Sequence, residues 1–136
     1  MQNVELDFLH LTYRADLGLL LLRWTRTVTS EEHHAGYAAA WELAQAQQAS
    51  RWLIDLRTRG LAEPADFAWV LSELRLRLAT LPAPRRMAYL VTPYHAATIS
   101  ARLIEQEAGL ADEYREAALV RIFTEEQAAQ RWLQAD

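Results

Sequence analysis

The chain has 136 residues, 51% of them hydrophobic, which fits one domain with a continuous core. Its net charge of −4 and its pI near 5.6 give no electrostatic reason to expect a nucleic-acid partner, since phosphate binding needs concentrated positive charge. The chain contains no cysteine and no lysine, which excludes disulfides, thiolate nucleophiles, cysteine-based zinc sites, Schiff-base lysines and a P-loop lysine.

Neither a targeting segment nor a membrane span is indicated by the sequence. The opening residues "MQNVELDFLH" lack the basic start and the apolar stretch of a signal peptide. The longest aliphatic run, "LLLL" at 19–22, is far too short to cross a bilayer. We therefore expect a cytoplasmic protein.

The first quarter of the chain predicts two strands. Residues 4–13, "VELDFLHLTY", alternate between apolar and polar with one phase slip near Phe8 and Leu9, which predicts a single half-exposed strand with a bulge. "ADLG" at 15–18 predicts a turn. The apolar run "LGLLLLRW" that follows is typical of a strand buried on both faces.

The middle of the chain predicts helices alternating with strands. Thr29 and Glu32 have the spacing of a capping box, which predicts a helix over about 30–49. "RWLIDL" predicts a third strand, and Pro64 fits the first turn of a second helix over 64–80. "PAP" at 82–84 ends that helix.

The last third repeats the alternation. "RMAYLV" predicts a fourth strand, "TPYH" opens a third helix, and "GLADEYRE" predicts a loop. "AALVRIF" predicts a fifth strand, and Thr124 and Gln127 repeat the capping-box spacing at the start of the closing helix.

The resulting order, ββαβαβαβα, predicts a single α/β domain over residues 1–136. Strands that alternate with helices form a mostly parallel sheet, because each helix carries the chain back across it. The prediction is five strands and four helices, with one antiparallel strand added by the leading hairpin.

This order of elements, with "WLIDLR", "DFAWVLSEL", "RMAYLV" and the closing "FTEEQAAQRWL", resembles the SpoIIAA-like branch of the STAS superfamily. The resemblance covers nearly the whole chain and implies an α/β domain that binds a partner or a small ligand and is usually not an enzyme. Some members of the superfamily are regarded as lipid-handling. The anti-sigma-factor antagonists of that group carry a phosphorylatable serine in an Asp-Ser-(Ser)-Gly turn after this strand. The present chain has "DLRTRG" there, with Thr58 as the nearest hydroxyl and no Asp-Ser pair.

Asp55 ends a predicted internal parallel strand, at the edge where open α/β sheets hold their ligands. A phosphoacceptor aspartate would need companion acids for magnesium and a lysine, and the chain supplies neither at this edge. Asp55 therefore either caps the following loop or pairs with Arg57 or Arg59, or it works with His95 as an acid–base pair. No nucleophile motif such as GxSxG supports an acid–base pair of Asp55 and His95.

The residues after this strand predict a small ligand site. Arg57, Thr58 and Arg59 could form an anion pocket with the amides of the next helix, and the alternative is a solvated loop. Tyr94 and His95 begin the third predicted helix behind another strand end, so they could line the same edge as Asp55.

Two further features concern helix surfaces. His33 and His34 lie in a first helical turn and are interpreted as a solvated helix start, since neighbours on a helix point about 100° apart and cannot easily share one metal. Trp69 and Leu76 lie opposite the core face of the 64–80 helix and predict an outer stripe for contact with a second copy, unless a neighbouring element covers it.

The expected function is a non-catalytic interaction or regulatory module of STAS-like type. It would be a homodimer or a partner of another protein, with a small anionic, amphipathic or lipid-like ligand near Asp55. No cofactor, no metal, no nucleic acid and no membrane span are expected. The alternatives are a small enzyme using Asp55 and His95, and a phosphorylation-controlled partner switch at Thr58.

Overall fold

A six-stranded sheet in the order β1-β2-β3-β4-β5-β6 organises the chain. The computed structural model describes residues 2–135. The strands pair antiparallel from β1 to β3 and parallel from β3 to β6. Their bounds are β1 (Gln2–Leu6), β2 (Leu9–Arg14), β3 (Leu19–Trp24), β4 (Arg51–Asp55), β5 (Arg86–Leu90) and β6 (Leu119–Phe123).

Helices connect the parallel strands and close the chain. Among residues 2–135, no helix has the combination of length and apolar character needed to cross a membrane. The helical bounds are α1 (Ser30–Gln47), α2 (Pro64–Trp69), a π-helical segment (Val70–Leu74), α3 (Arg75–Leu78), α4 (Pro93–Ala108), α5 (Asp112–Ala117) and α6 (Glu126–Gln134).

The two faces of the sheet carry two separate apolar cores. The larger core packs β-strand residues against α1, α2, α3 and α4, and the smaller one packs the opposite face against α6. In β3, for example, Leu20 and Leu22 belong to the larger core, whereas Leu19 and Leu21 belong to the smaller one. Because both faces are covered, β3 is apolar at nearly every position, as the sequence indicated.

β4 lies inside the parallel part of the sheet. It pairs with β3 on one side and with β5 on the other, and Trp52, Leu53 and Ile54 are fully buried. The prediction of an α/β domain with a mostly parallel sheet is confirmed, and so is the internal position of this strand. The loop after β4 therefore opens at the carboxyl edge of the sheet.

The prediction of one bulged strand over residues 4–13 is wrong, because this segment is a hairpin. Leu6 pairs with Leu9 across a turn made of Asp7 and Phe8. Paired residues point to the same face of a sheet, so a two-residue turn separates same-face residues by three positions instead of two. The phase slip near Phe8 and Leu9 therefore marks this turn. The sheet has two antiparallel pairs of strands, β1–β2 and β2–β3, where the sequence predicted one.

Two helix starts differ in how well the sequence predicted them. The capping box of α1 is confirmed, since Glu32 N donates to Thr29 Oγ1 at 3.1 Å and Thr29 N donates to the Glu32 carboxylate at 3.0 Å. The capping box predicted at Thr124 is wrong, because the N-cap of α6 is Glu125 and it makes no side-chain cap. The loop predicted over 109–116 is also wrong in part, since α5 occupies most of it.

Arg75 ties the helical layer to the far edge of the sheet. Its side chain is buried, and its guanidinium donates to the carbonyl of Ala118 at 2.7 and 2.9 Å and to that of Arg115 at 3.0 Å. Glu107 of α4 pairs with it at 2.7 Å. One side chain thus joins α3, α4 and the segment that enters β6. It donates to two backbone carbonyls, those of Arg115 and Ala118, that lie outside the paired residues of the sheet.

We expect Arg75→Met to lower the free energy of unfolding by roughly 2–4 kcal/mol, because it leaves these acceptors and Glu107 without their donor. Urea unfolding followed by circular dichroism measures the change. Arg77→Met is the matched control, since Arg77 is exposed two residues away, and should change stability by no more than about 0.5 kcal/mol. Equal effects of the two substitutions would show that Arg75 has no special structural role.

Candidate functional site

The loop after β4 sends its two arginines to opposite sides of the sheet. Arg57 turns towards α6, where it meets Asp55, Arg23 and Glu126. Arg59 turns towards the helical layer, where it is buried at 6% exposure against α1. The site predicted from the sequence is therefore two clusters of different chemistry.

The cluster on the α6 side is a closed ion-pair network. Asp55 Oδ1 accepts from the backbone N and Nε of Arg57, each at 3.0 Å. Asp55 Oδ2 accepts from Arg57 Nη2 at 2.9 Å and from Arg23 Nη1 at 3.0 Å. Arg23 also binds Glu126, at the start of α6, through two contacts of 2.9 Å. Two cations and two carboxylates thus join β3, β4 and α6.

Charge pairing in this network favours the ionised form of both carboxylates, Asp55 and Glu126. Burial works against the charge on Asp55, but the hydrogen bonds from Arg57 outweigh it, so the pKa of Asp55 lies below its ordinary value. Hydrogen bonds from Arg23 lower the pKa of Glu126 in the same direction. Asp55 is therefore an ionised acceptor with both oxygens occupied, as the structural interpretation of the sequence expected.

The cluster on the helical side surrounds Arg59 with aromatic rings. The guanidinium carbon lies 4.3 Å from the centroid of the Trp24 ring, which is a cation–π contact. Arg59 Nη2 lies 2.7 Å from His33 Nδ1. The rings of Tyr37 and Trp24 are 5.3 Å apart, and Arg59 also acts electrostatically on the Tyr37 and Tyr89 hydroxyls. We call Trp24, His33, Tyr37, Arg59 and Tyr89 the Arg59 cluster.

His33 is a neutral hydrogen-bond acceptor for Arg59. Burial, and after it the charge of Arg59, lowers the pKa of His33 to about 4. A guanidinium nitrogen can only donate, so Nδ1 must accept and the ring proton must sit on Nε2. The interpretation of His33 as part of a solvated helix start is wrong, since this side chain is only 1% exposed.

No carboxylate neutralises Arg59 at ion-pair distance among residues 2–135. Burial lowers the pKa of Arg59, and Asp66 acts on it only as a more distant charge. Asp66 is itself buried and accepts from Ser30 Oγ at 2.9 Å. The larger core thus contains a positive charge whose nearest anionic neighbour is engaged elsewhere.

Four buried polar atoms of the Arg59 cluster have no hydrogen bond of good geometry among the described residues, although Tyr37 lies close to the Trp24 indole and the Asp66 backbone lies close to His33. Tyr89 Oη is one of these atoms, and it lies near enough to the Tyr37 hydroxyl for the two groups to affect each other's pKa. Burial raises the pKa of Tyr37 to about 12. The packing is tight, since a Cβ on Gly36 would lie 2.5 Å from the Trp24 ring. The four atoms are Trp24 Nε1, His33 Nε2, Arg59 Nη1 and Tyr89 Oη.

Trp69 covers one side of this cluster. Its ring lies 4.5 Å from that of His34 and 6.0 Å from that of His33, and the side chain packs against the larger core. The sequence placed Trp69 on an outer stripe by rotating every residue through 100°, but the neighbouring helix α1 covers it. A π-helical segment between Trp69 and Leu76 also breaks the constant rotation on which the stripe depended.

The other predicted ligand residues lie at the rim. Thr58 is exposed on the turn after β4, and Tyr94 is 88% exposed at the start of α4. His95 is partly buried, with Nδ1 3.5 Å from Thr92 Oγ1 and its ring facing Gly60. Gly60 has a φ of +83°, which a residue with a side chain rarely adopts, so it shapes this turn.

Sequence reasoning found Arg59 but missed its neighbours. Trp24 was placed only within a predicted buried strand, Tyr37 and Tyr89 were not considered as site residues, and His33 was assigned to solvent. A usable signal existed, because buried strands and helix faces that carry Trp, Tyr and His need partners for their polar atoms. Within residues 2–135, no three His, Asp or Glu side chains come together as metal ligands.

We expect Asp55→Asn to lower the free energy of unfolding by roughly 1–3 kcal/mol at pH 7, since it weakens charge-assisted bonds to two arginines. The native pKa of Asp55 is depressed, so its contribution is complete above the unfolded pKa of about 4 and disappears as the pH falls further. Denaturant unfolding of both proteins between pH 7 and 3 checks this. The difference in unfolding free energy between the wild type and Asp55→Asn should become smaller below about pH 4. His33 titrates in both proteins, so its effect cancels, and a gap independent of pH would contradict the assignment.

Comparison with known proteins leaves the family of this chain open. No family model, no curated protein and no solved structure matches it.

Proposed function

We propose that this chain is a non-catalytic interaction or regulatory module of STAS-like type, which binds a small anionic or amphipathic ligand at the edge where β4 ends. One observation carries the proposal: Arg59 is buried beside Trp24 and His33 with Nη1 unpartnered and with no carboxylate at ion-pair distance in residues 2–135. Burying a cation without a paired negative charge costs free energy, which an anionic ligand would recover.

The position of the cluster supports ligand binding. Trp24 ends β3, and Arg59 follows β4 in the next loop, so both lie at the carboxyl edge of a parallel sheet. Open α/β sheets hold their ligands at this edge. From β3 onward, helices alternate with parallel strands, as in the α/β domain that the STAS resemblance implies, and this supports the STAS-like type in the proposal. The hairpin of β1 and β2 and the helix α5 are additional to the order on which that resemblance was based.

Binding is preferred over acid–base catalysis because of the state of Asp55. A general base works best with a pKa near the working pH and a free oxygen, whereas Asp55 has a lowered pKa and two occupied oxygens. No hydrogen bond or ion pair among the described residues joins Asp55 to His95. The enzyme alternative and the phosphorylation switch at exposed Thr58 stay predictions.

Native mass spectrometry of the purified protein tests the ligand. We expect a small anionic molecule that is retained under native conditions and lost after unfolding, because it completes the buried charge of Arg59. Arg59→Gln should reduce the bound fraction at least tenfold. Arg57→Gln is the control, since Arg57 lies in the same loop but turns to α6, and it should leave the bound fraction unchanged. A wild-type protein without bound molecules, and without response to any anion added to it, contradicts the proposal.

The proposal includes a homodimer through the outer surface of residues 64–80, where Leu76 is partly exposed. We expect Leu76→Asp to halve the mass measured by light scattering, since a charge in an apolar interface leaves it unpaired. Trp69 is unsuitable for this test because it also covers the Arg59 cluster. Ala128→Asp is the control, since Ala128 is partly exposed on α6, on the opposite face of the sheet from residues 64–80. An unchanged mass for Leu76→Asp, with the circular dichroism of a folded protein, removes the dimer.

A further inference from the structure

The outer face of α4 carries an unbroken apolar stripe. Its five members fall within about 80° of one another around the helix axis. They lie opposite Ile99 and Leu103, which pack into the larger core. None of the five is charged, and Tyr94 and Ile104 are 88% and 71% exposed. We call these residues the α4 stripe: Tyr94, Ala97, Ala101, Ile104 and Ala108, all of them exposed.

The α4 stripe is unusual among the helices of this chain. The exposed residues of α6 are all polar: Gln127, Arg131 and Gln134. Three large apolar side chains are mostly exposed in residues 2–135, and two of them, Tyr94 and Ile104, belong to the stripe. The outer face of a helix on a sheet is ordinarily polar, so a continuous apolar face indicates a contact surface.

The spacing of the α4 stripe favours a second helix as the element that covers it. Its members follow one another at intervals of 3, 4, 3 and 4 residues, the repeat with which one helix presents a straight seam to another. Three of the five are alanines, which allow two helix axes to approach to about 8 Å. A membrane surface suits the stripe less well, because interfacial helices carry Lys or Arg beside the apolar face, whereas the charged residue beside this one is Glu105.

The order of large and small residues makes α4 complementary to itself. Tyr94 and Ile104 lie on either side of Ala97 and Ala101 along the stripe. When two copies pair antiparallel about a twofold axis, each Tyr94 meets the Ile104 of the other copy, and the alanines meet at the crossing. A parallel pair would instead place the two tyrosines against each other and align the two helix dipoles.

Charge favours the same antiparallel arrangement. Glu105 is exposed in the last turn of α4, at the negative end of the helix dipole. Among residues 2–135, no basic side chain lies at ion-pair distance from it. The first turn of α4 contains no acid, although a negative charge there stabilises a helix. In the antiparallel pair, Glu105 of each copy lies beside the first turn of the other copy's α4.

We propose that the α4 stripe is an interface at which two copies of this chain pair their α4 helices antiparallel, with Tyr94 of each copy against Ile104 of the other. The interface is separate from the surface of residues 64–80 and does not depend on a bound ligand. α4 has 16 residues and is therefore about 24 Å long, so the interface is small and the copies associate at micromolar concentrations.

Sedimentation equilibrium between about 10 and 500 µM tests the interface. We expect a mass that rises with concentration, and Ile104→Asp should weaken association at least tenfold, since it places an unpaired charge from each copy in an apolar seam. Ala38→Asp is the control, because it adds the same charge at an exposed position of α1, and it should leave association unchanged.

The contribution of charge is tested separately. Glu105→Arg places a positive charge beside the first turn of the other copy's α4 and should weaken association roughly threefold or more. Glu42→Arg makes the same change of charge at an exposed position of α1 and should have no such effect.

Engineered thiols test the direction of the helices, since the chain contains no cysteine. Tyr94→Cys and Ile104→Cys are mixed and oxidised mildly. The two thiols meet in the antiparallel pair, which keeps one native contact between Tyr94 and Ile104, so we expect disulfide-linked dimers. Either variant alone should be linked at least roughly tenfold more slowly, because its two thiols are about 15 Å apart along the helix axis, beyond the reach of a disulfide.

Three results overturn the α4 interface: a wild type that is monomeric at 500 µM, a folded Ile104→Asp that associates like the wild type, or Tyr94→Cys alone linking as fast as the mixture. The thiol experiment keeps the test valid if Ile104→Asp does not fold. Leu76→Asp separates this interface from the dimer at residues 64–80. If only α4 pairs, Leu76→Asp keeps the wild-type mass, and if both surfaces pair, Leu76→Asp and Ile104→Asp each halve the mass of a four-chain assembly; both results support the α4 interface.

Discussion

Arg59 stacks on Trp24 and donates to His33, yet no carboxylate reaches it within ion-pair distance in the described part of the chain. In water a guanidinium has a full hydration shell, and burial removes it. Cation–π contact and one hydrogen bond to a neutral imidazole replace only part of that shell. The proposed function depends on this unneutralised charge at the carboxyl edge of the sheet.

The fold keeps this charge apart from the acids of the same loop. Asp55 and Glu126 lie on the α6 side of the sheet, where Arg23 and Arg57 neutralise them. Because that network is complete, it fixes α6 against β3 and β4 and supplies no counter-charge to the other face. Strict alternation would put Asp55, Arg57 and Arg59 on one face of the sheet, so it is the turn at residues 57–59 that sends Arg59 to the other side. This turn separates a complete ion-pair network from the unneutralised charge of Arg59.

Much of the fold could be predicted from the sequence because the larger signals are local. The buried strand β3, the capping box at Thr29 and Pro64 at the start of α2 all follow from patterns within a few residues. The hairpin turn at Asp7 and Phe8 was visible as a phase slip but was interpreted as a bulge, since both insert an irregularity into an alternating pattern.

The site was less predictable because it depends on distant contacts. The position of Asp55 at a strand end was predicted, but its second arginine, Arg23, comes from another strand. Trp69 turns inward because α1 happens to cross it, which no rotation along one helix reveals. His33 and Arg59 are 26 positions apart, and only the packing of α1 on the sheet brings them together. Burial of polar groups is a tertiary property, so local patterns cannot predict it.

The most direct test of the central claim is a crystal structure of the refolded protein soaked in sodium bromide, with data collected at the bromine absorption edge. Bromide is a monovalent anion that accepts hydrogen bonds and gives an anomalous signal that water does not give. The account predicts an anomalous peak within hydrogen-bonding distance of the Arg59 guanidinium. A map with no anomalous peak in this cluster, with water molecules filling the place beside Nη1, would contradict the claim that the buried charge requires an anion.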